Sequence, residues 1–154
     1  MSKIEIGRKA PAFALPGTSG PFASADALGG PLIVYFYPRD NTPGCTREGA
    51  AFAALHPALR RAKATVVGIS PDGPESHARF REKMRFPFDL LSDPEQKVCK
   101  LYDVIREKSL YGRRFMGVER STFLIDAKGV LRAEWRKVRV DGHAEAVLAA
   151  VKAL

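Results

Sequence analysis

Hydrophobic positions along the chain form two patterns that follow one another in turn. Unbroken apolar runs, without the polar alternation of a half-exposed strand, are typical of strands buried on both faces of a sheet. Leu32–Tyr37 and Thr65–Ser70 are such runs, and Phe88–Leu91 is a shorter one. Further on, Ser121–Ile125 and Val130–Trp135 flank the turn sequence Asp-Ala-Lys-Gly, which predicts a β-hairpin.

Helices are predicted between these runs. One is expected after Thr42, although Pro57 should kink or break it near Leu55, because proline removes a helix hydrogen bond. The others are predicted at Pro74–Met84 as a surface helix, from Asp93-Pro94 to Ile105 with one apolar face, and at His143–Leu154. The basic segment 106–119 is predicted to be a loop.

Two short segments near the N-terminus, Phe13–Leu15 and Phe22–Ser24, surround a turn-rich sequence and are predicted to pair as a hairpin. Strand, helix, strand, helix, antiparallel hairpin and final helix is the order of a thioredoxin-like α/β fold. We therefore expect a central mixed β-sheet flanked by helices, with the N-terminal hairpin as an extension. The length suits a single domain over residues 1–154, large enough for a hydrophobic core.

The start of the first helix carries the most informative chemistry. Pro38 ends the preceding strand, since proline has no N–H to donate. Thr42 is a favoured N-cap and Pro43 a favoured first helical residue, so Cys45 falls on the third helical position. The unpaired N–H groups and the helix dipole favour an anion there, which biases a thiol toward the thiolate. The alternative is a small buried cysteine, for which this cap, proline and glycine would be unnecessary.

The sequence Pro-Arg-Asp-Asn-Thr-Pro-Gly-Cys, from Pro38 to Cys45, resembles the active-site pattern of the peroxiredoxins. Its flanks resemble the Q-type, bacterioferritin-comigratory-protein-like subgroup. A second block, from Tyr111 to Asp126, resembles the stretch of that subgroup that delivers the active-site arginine, here Arg120. The resemblance covers nearly the whole chain, and two separated motifs in the right order make it specific.

This resemblance implies a thioredoxin-like fold and a thiol-dependent peroxidase that reduces hydrogen peroxide and organic hydroperoxides through a sulfenic acid on Cys45. It assigns active-site roles to Pro38, Thr42, Cys45 and Arg120. The chemistry of these side chains agrees, because a thiolate that attacks a peroxide oxygen needs donors for the leaving oxygen. The Thr42 hydroxyl, the N–H groups of the helix start and the Arg120 guanidinium are the candidate donors.

Each of these residues also has a simpler interpretation. Pro38 can serve only to end a strand, Thr42 only to cap a helix, and Arg120 only as a solvated surface charge. Glu48, one helical turn after Cys45, either holds Arg120 or faces solvent. For Arg120, the surrounding motif favours the functional interpretation.

The recycling step depends on whether the chain carries a second, resolving cysteine. Many members of the subgroup carry a resolving cysteine five residues after the first, where this chain has Ala50. Cys99 is the remaining candidate, at the edge of the apolar face of a predicted helix, which favours a buried structural thiol. We therefore expect a one-cysteine cycle in which an external thiol resolves the sulfenic acid. The alternative is an atypical two-cysteine cycle through a Cys45–Cys99 disulfide.

Composition and charge indicate which kinds of binding partner are expected. The net charge is +8 and the pI is near 9.8, but the basic residues are spread along the chain, without a nucleic-acid motif. A solvated basic surface is expected rather than specific nucleic-acid binding, although a basic binding module is the non-enzymatic alternative. No run is long enough to span a membrane, and no signal peptide is evident, so the cytoplasm is the expected location.

Other kinds of site are disfavoured. A dithiol oxidoreductase would need C-x-x-C, but the second position is Glu48. His56, His77 and His143 share no close spacing and are predicted to be surface histidines, so neither a metal nor a cofactor is expected. The expected partners are a hydroperoxide and a reductant, either thioredoxin, glutaredoxin or a small thiol. The resemblance suggests a monomer.

Overall fold

A mixed sheet runs through the centre of the protein, whose computed structural model describes residues 4–154. In this part of the chain the strands are β1 (Ala14–Gly17), β2 (Gly20–Ala23), β3 (Leu32–Phe36), β4 (Thr65–Ser70), β5 (Asp89–Ser92), β6 (Ile105–Leu110), β7 (Arg113–Val118), β8 (Ser121–Ile125) and β9 (Leu131–Trp135). The helices are α1 (Pro43–Arg61), α2 (Pro74–Met84), α3 (Lys97–Leu101) and α4 (His143–Lys152). None of them combines the length and hydrophobicity needed to cross a membrane.

Seven strands form the central sheet, in the order β2-β1-β5-β4-β3-β8-β9. Strands β3, β4 and β5 are parallel, whereas β8 runs antiparallel to β3 and β9 antiparallel to β8. The predicted N-terminal hairpin is present as β1 and β2, shifted by one or two residues, and it extends the opposite edge. The predicted mixed sheet with flanking helices is therefore confirmed.

The sheet separates two hydrophobic cores. Alternate residues of β3 point to opposite faces, so Ile33 and Tyr35 contribute to the first core, while Val34 and Phe36 contribute to the second. Helices α1, α2 and α4 cover the first core, and α3 with the segment that follows it covers the second. Because both faces are covered, β3 is buried along its whole length, as its unbroken apolar run predicts.

Helix α1 continues through Pro57 without interruption, contrary to the predicted kink or break near Leu55. Phe52 and Leu59, on either side of the proline, are both fully buried in the first core. Pro57 itself lies on the exposed side, where water can reach the carbonyl group left without a partner. Tertiary packing therefore holds the two halves of α1 as one helix.

Two predictions about the second half of the chain were wrong. The helix expected from Asp93-Pro94 to Ile105 is only the five-residue α3, because Gln96 adopts a left-handed conformation that separates it from the preceding turn. The predicted basic loop is instead the two-stranded hairpin β6–β7, which pairs with no other described strand. Alternating cross-strand pairs over six residues on each side replace the irregular structure that the basic composition suggested.

Candidate active site

The site lies at the edge of the sheet where β3 ends and β8 begins. Phe36, the last residue of β3, pairs with Ser121, the first residue of β8. The residues just beyond this pair, Tyr37 on one side and Arg120 on the other, therefore reach the same edge. The loop that follows Tyr37 leads directly into α1, which begins with Pro43. Strand register thus brings together two motifs that are distant in sequence.

Cys45 occupies the third position of α1, as predicted, and only 2% of it is exposed. The Nη2 atom of Arg120 donates a hydrogen bond to its Sγ atom at 3.2 Å. A guanidinium group and a helix N-terminus both favour negative charge on the sulfur. Gly44 leaves the space for this approach, since a Cβ atom there would lie 3.1 Å from Nη2 of Arg120.

Glu48 anchors Arg120 from the other side. Its Oε1 atom accepts a hydrogen bond from Nη1 of Arg120 at 2.6 Å, and its side chain is 1% exposed. Its Oε2 atom has no partner among the described residues. Burial raises the pKa of Glu48 to about 7, although the charge and hydrogen bond of Arg120 lower it. Of the two interpretations of Glu48 from the sequence, the structure supports the contact with Arg120.

Arg120 remains charged in this arrangement. Burial by itself lowers the pKa of Arg120, but the negative charges of Glu48 and Cys45 raise it above its ordinary value. The guanidinium is held by two hydrogen bonds at once, and its side chain is only 16% exposed. It is therefore not the solvated surface charge of the simpler interpretation, but a fixed donor beside the sulfur.

Thr42 is the N-cap residue of α1, but its side chain does not cap the helix. Its hydroxyl instead donates to the carbonyl oxygen of Arg39 at 2.9 Å. The hydroxyl proton is therefore already used, and Thr42 offers an acceptor oxygen rather than the donor that the sequence suggested. Pro38 lies half-buried directly after the end of the β3 ladder, in the same loop, and its active-site role stays a prediction.

Sequence reasoning missed a buried polar cluster below this loop. Asp40 accepts hydrogen bonds from Tyr37 at 2.6 Å and Ser76 at 2.8 Å, and its Oδ2 atom lies 2.7 Å from Nδ1 of His77. His77 and His143 are both buried, so the prediction of surface histidines was wrong for these two. Single histidines and aspartates give no periodic signal, because their partners come from other elements of the fold.

The same cluster contains the described side chains that most resemble a metal site. Ligand atoms of Asp40, Asp72 and His77 lie within 4.8 Å of one another. However, both ring nitrogens of His77 already have hydrogen-bonding partners, and Oδ2 of Asp72 accepts from the backbone N–H of Asp40 and the hydroxyl of Ser70. The arrangement is that of a closed hydrogen-bond network rather than a set of free ligands.

Cys99 lies on the other side of the sheet. It belongs to the second core with 0% exposure, whereas Cys45 belongs to the first core. Burial and the hydrogen bond with Asp93 raise the pKa of the Cys99 thiol well above its ordinary value. The predicted burial of Cys99 is confirmed, and both cysteines are free thiols.

A thiol at a helix start, an arginine donor beside it and a mixed sheet with flanking helices define a thiol peroxidase of thioredoxin-like fold. Comparison with known proteins agrees. Residues 6–134 match the AhpC/TSA family. The chain is 47% identical to a putative peroxiredoxin Bcp of Coxiella burnetii, over 94% of this chain and 97% of that protein. It is 45% identical to peroxiredoxin Bcp of Bacillus subtilis, over 97% of this chain and 96% of that protein.

Comparison with solved structures also points to a peroxiredoxin. The bacterioferritin comigratory protein of Xanthomonas campestris, studied for its alkyl peroxide reduction, superposes with a TM-score of 0.90. It is 43% identical, over 97% of this chain and 98% of that chain. The chain belongs to the AhpC/TSA family, as a peroxiredoxin of the Q-type, bacterioferritin-comigratory-protein-like subgroup. The predicted family and thioredoxin-like fold are thus confirmed, and the protein is a thiol-dependent peroxidase that uses a peroxide substrate and a thiol reductant.

Proposed function

We propose that Cys45 is the nucleophile of this peroxidase and that its substrates are hydrogen peroxide and alkyl hydroperoxides. The observation that carries the proposal is the 3.2 Å hydrogen bond from Arg120 to Sγ of Cys45 at the N-terminus of α1. The alkyl peroxide reduction of the Xanthomonas campestris relative supports the same substrate class.

In the first step the Cys45 thiolate attacks the terminal oxygen of the hydroperoxide. An S–O bond forms and the O–O bond breaks, so the sulfur is oxidised to a sulfenic acid by two electrons. The peroxide is reduced, and its other oxygen leaves as alkoxide or hydroxide, which takes a proton to become alcohol or water. Arg120 stabilises the negative charge first on the sulfur and then on the leaving oxygen. Thr42, whose hydroxyl proton is directed to Arg39, accepts the hydrogen bond of the peroxide O–H.

In the second step an external thiol attacks the sulfenic sulfur, water leaves, and a mixed disulfide forms that a second thiol releases. The one-cysteine cycle is supported by the positions of Cys45 and Cys99 on opposite faces of the sheet. A disulfide requires Cα atoms within about 7 Å, so joining them would require elements of both cores to leave the sheet. Thioredoxin, glutaredoxin or a small thiol is the proposed reductant.

We propose further that residues 1–154 act as one catalytic domain and as a monomer. The single-domain proposal is supported by the packing of α4 against α1 and the central sheet, through Ala144, Val147 and Val151 of α4. The cytoplasmic location stays a prediction from the sequence.

The proposal is tested by treating the protein with one equivalent of hydrogen peroxide, blocking free thiols and measuring the intact mass. We expect a sulfenic acid on Cys45, with Cys99 still available to the alkylating reagent after unfolding. A species two hydrogens lighter, with neither cysteine alkylated, would establish the two-cysteine alternative instead. Peroxide consumption by Cys45→Ser at the parental rate would contradict the nucleophile assignment itself.

A further inference from the structure

The loop between β3 and α1 is fixed by side chains that contact neither Cys45 nor Arg120. Asp40, in the middle of this loop, has a side chain that is only 3% exposed, and the side chain of His77 on α2 is fully buried. The two are joined through Oδ2 and Nδ1 at 2.7 Å. The hydroxyl groups of Tyr37 and Ser76 complete the hydrogen bonding of the carboxylate.

Each polar atom of this cluster has a defined hydrogen-bonding partner. Nε2 of His77 lies 2.9 Å from the carbonyl oxygen of Leu91, which can only accept, so Nε2 carries a hydrogen. Nδ1 faces an oxygen of Asp40, and this contact also needs a hydrogen on one of the two atoms. Burial by itself raises the pKa of Asp40, but the hydrogen bonds from His77 and Tyr37 lower it below its ordinary value. The ring of His77 and the carboxyl group of Asp40 therefore form a buried hydrogen bond, and Nε2 of the same ring is fixed by Leu91.

Further contacts extend this attachment along the loop. The backbone N–H of Asp40 donates to Asp72, which follows β4, at 2.7 Å. Nζ of Lys83, two helical turns after Ser76 on α2, donates to the side chain of Asn41 at 2.8 Å. Asn41 has a φ of 61°, a left-handed conformation that asparagine tolerates better than most residues. Helix α2 and the end of β4 thus hold the two residues that immediately precede Thr42.

Stability alone is a weak explanation for a buried pair of ionisable side chains at this position. Removing such side chains from water is costly, and well-packed apolar replacements of buried ion pairs are often neutral or stabilising. The pair instead fixes the position of the loop, because the hydrogen bonds of both side chains are satisfied together in only one loop position. The residues held in this way are the neighbours of Thr42, which faces the substrate in the proposed mechanism.

We propose that Asp40 and His77 are a positioning pair for peroxide reduction, which keeps Thr42 in register with Arg120 on either side of Cys45. This inference rests on the proposed roles of Thr42 and Cys45. The pair acts through the loop, so it affects the alignment of the peroxide rather than the formation of the thiolate. Misplacement of a reacting group by about 1 Å can cost on the order of 100-fold in rate.

The test compares two reactions of the same sulfur in Asp40→Asn and His77→Gln. Stopped-flow oxidation by hydrogen peroxide requires the aligned site, whereas alkylation by iodoacetamide requires only an accessible thiolate. We expect the peroxide rate constant to fall by about 10- to 100-fold in each variant, while the alkylation rate stays within about twofold of the parent. The double variant should be no slower than the slower single variant, because both changes remove one interaction.

Asp93→Asn is the matched control. Asp93 is also buried, but it accepts the backbone N–H of Cys99, a residue of the second core, at 2.8 Å. We expect its peroxide rate to stay within about twofold of the parent, since its loss reaches no part of the loop. Ser76→Ala removes only one hydrogen bond to Asp40 and serves if the larger changes prevent folding; a rate loss of about threefold is expected.

The outcomes separate this inference from the proposed function. A parental peroxide rate in folded Asp40→Asn, or in Ser76→Ala where the former does not fold, overturns the positioning role. Equal losses of peroxide and iodoacetamide reactivity also overturn it, because they indicate general damage to the site. Thr42→Val is measured in parallel. If Thr42→Val is slow while Asp40→Asn is not, only the positioning pair is wrong; if Thr42→Val has the parental rate, the role of Thr42 fails and the pair with it.

Discussion

The two cysteines are buried to nearly the same extent, yet their surroundings are opposite. Cys45 is 2% exposed and has the Arg120 guanidinium at 3.2 Å, whereas Cys99 is 0% exposed and is paired with the Asp93 carboxylate. One lies in the first turn of a long helix, the other within a five-residue helix. Burial therefore cannot account for the different reactivities that we propose for the two thiols. We expect the sign of the nearest charge and the position on the helix to decide it.

Replacing each cysteine in turn has the largest expected effect. Cys45→Ser should abolish peroxide consumption, because a hydroxyl at that position is not ionised at neutral pH and is a far weaker nucleophile. Cys99→Ser should oxidise at a rate within about twofold of the parent, since Cys99 lies on the other face of the sheet. Stopped-flow oxidation and intact mass provide the measurement. Loss of the first oxidation step in a folded Cys99→Ser protein would contradict the comparison.

Removing the cation that distinguishes Cys45 should have the next largest effect. Arg120→Ala should lower the peroxide rate by about 100- to 1,000-fold, because one preorganised donor to the developing charge is lost. Arg136→Ala is the matched control, since Arg136 is half-buried near Phe123 on the side of Cys99. Its rate should stay within about twofold of the parent. A change under about threefold for Arg120→Ala, less than 1 kcal/mol, would contradict the catalytic role of Arg120 and leave it a structural one.

The carboxyl group of Glu48, which shares Arg120 with Cys45, predicts a pH dependence of stability. Burial raises the pKa of Glu48 from 4.5 to about 7, so the folded state binds this proton more tightly than the unfolded state. The resulting stabilisation is fully present below about pH 4.5 and is lost as the pH rises through about 7. Relative to Glu48→Gln, the parent should therefore lose about 3 kcal/mol of unfolding free energy across this range.

Chemical denaturation at several pH values between pH 4 and pH 8, about the range set by these pKa values, measures this difference. Glu82→Gln is the control, because Glu82 is exposed on α2 and its replacement should leave the pH dependence unchanged. A difference between the parent and Glu48→Gln that does not vary with pH would show that Glu48 has the same pKa in the folded and unfolded states.

The smallest expected effect comes from replacing Gly44, which leaves room for the side chain of Arg120. Gly44→Ala places a Cβ atom 3.1 Å from Nη2 of Arg120, so the guanidinium must shift by a few tenths of an ångström. We expect a loss of about three- to tenfold in the peroxide rate, since small displacements of a donor weaken its hydrogen bond. Gly73→Ala has open space around the added carbon and should react at the parental rate. A parental rate for Gly44→Ala would mean that the Arg120 contact tolerates displacement.

Several features of the fold and the site were predictable because their causes are local. The apolar run of β3 indicated a strand covered on both faces. The sequence Thr-Pro-Gly-Cys indicated a helix that begins at Pro43 with a thiol on its third residue. Arg120 was identified through the motif around it, since an isolated arginine carries no such signal.

Other features were decided only in the tertiary structure, because they depend on residues that meet across the sheet. The register of β3 with β8 brings Arg120 to Cys45, and packing on both sides of Pro57 keeps α1 continuous. The same is true of the buried pair of Asp40 and His77, two residues 37 positions apart in the chain. Local propensity specifies a cap or a strand within a few residues, whereas a long-range contact depends on how whole elements pack. The sequence by itself therefore determined which thiol begins a helix, and the tertiary structure determined which charges surround it.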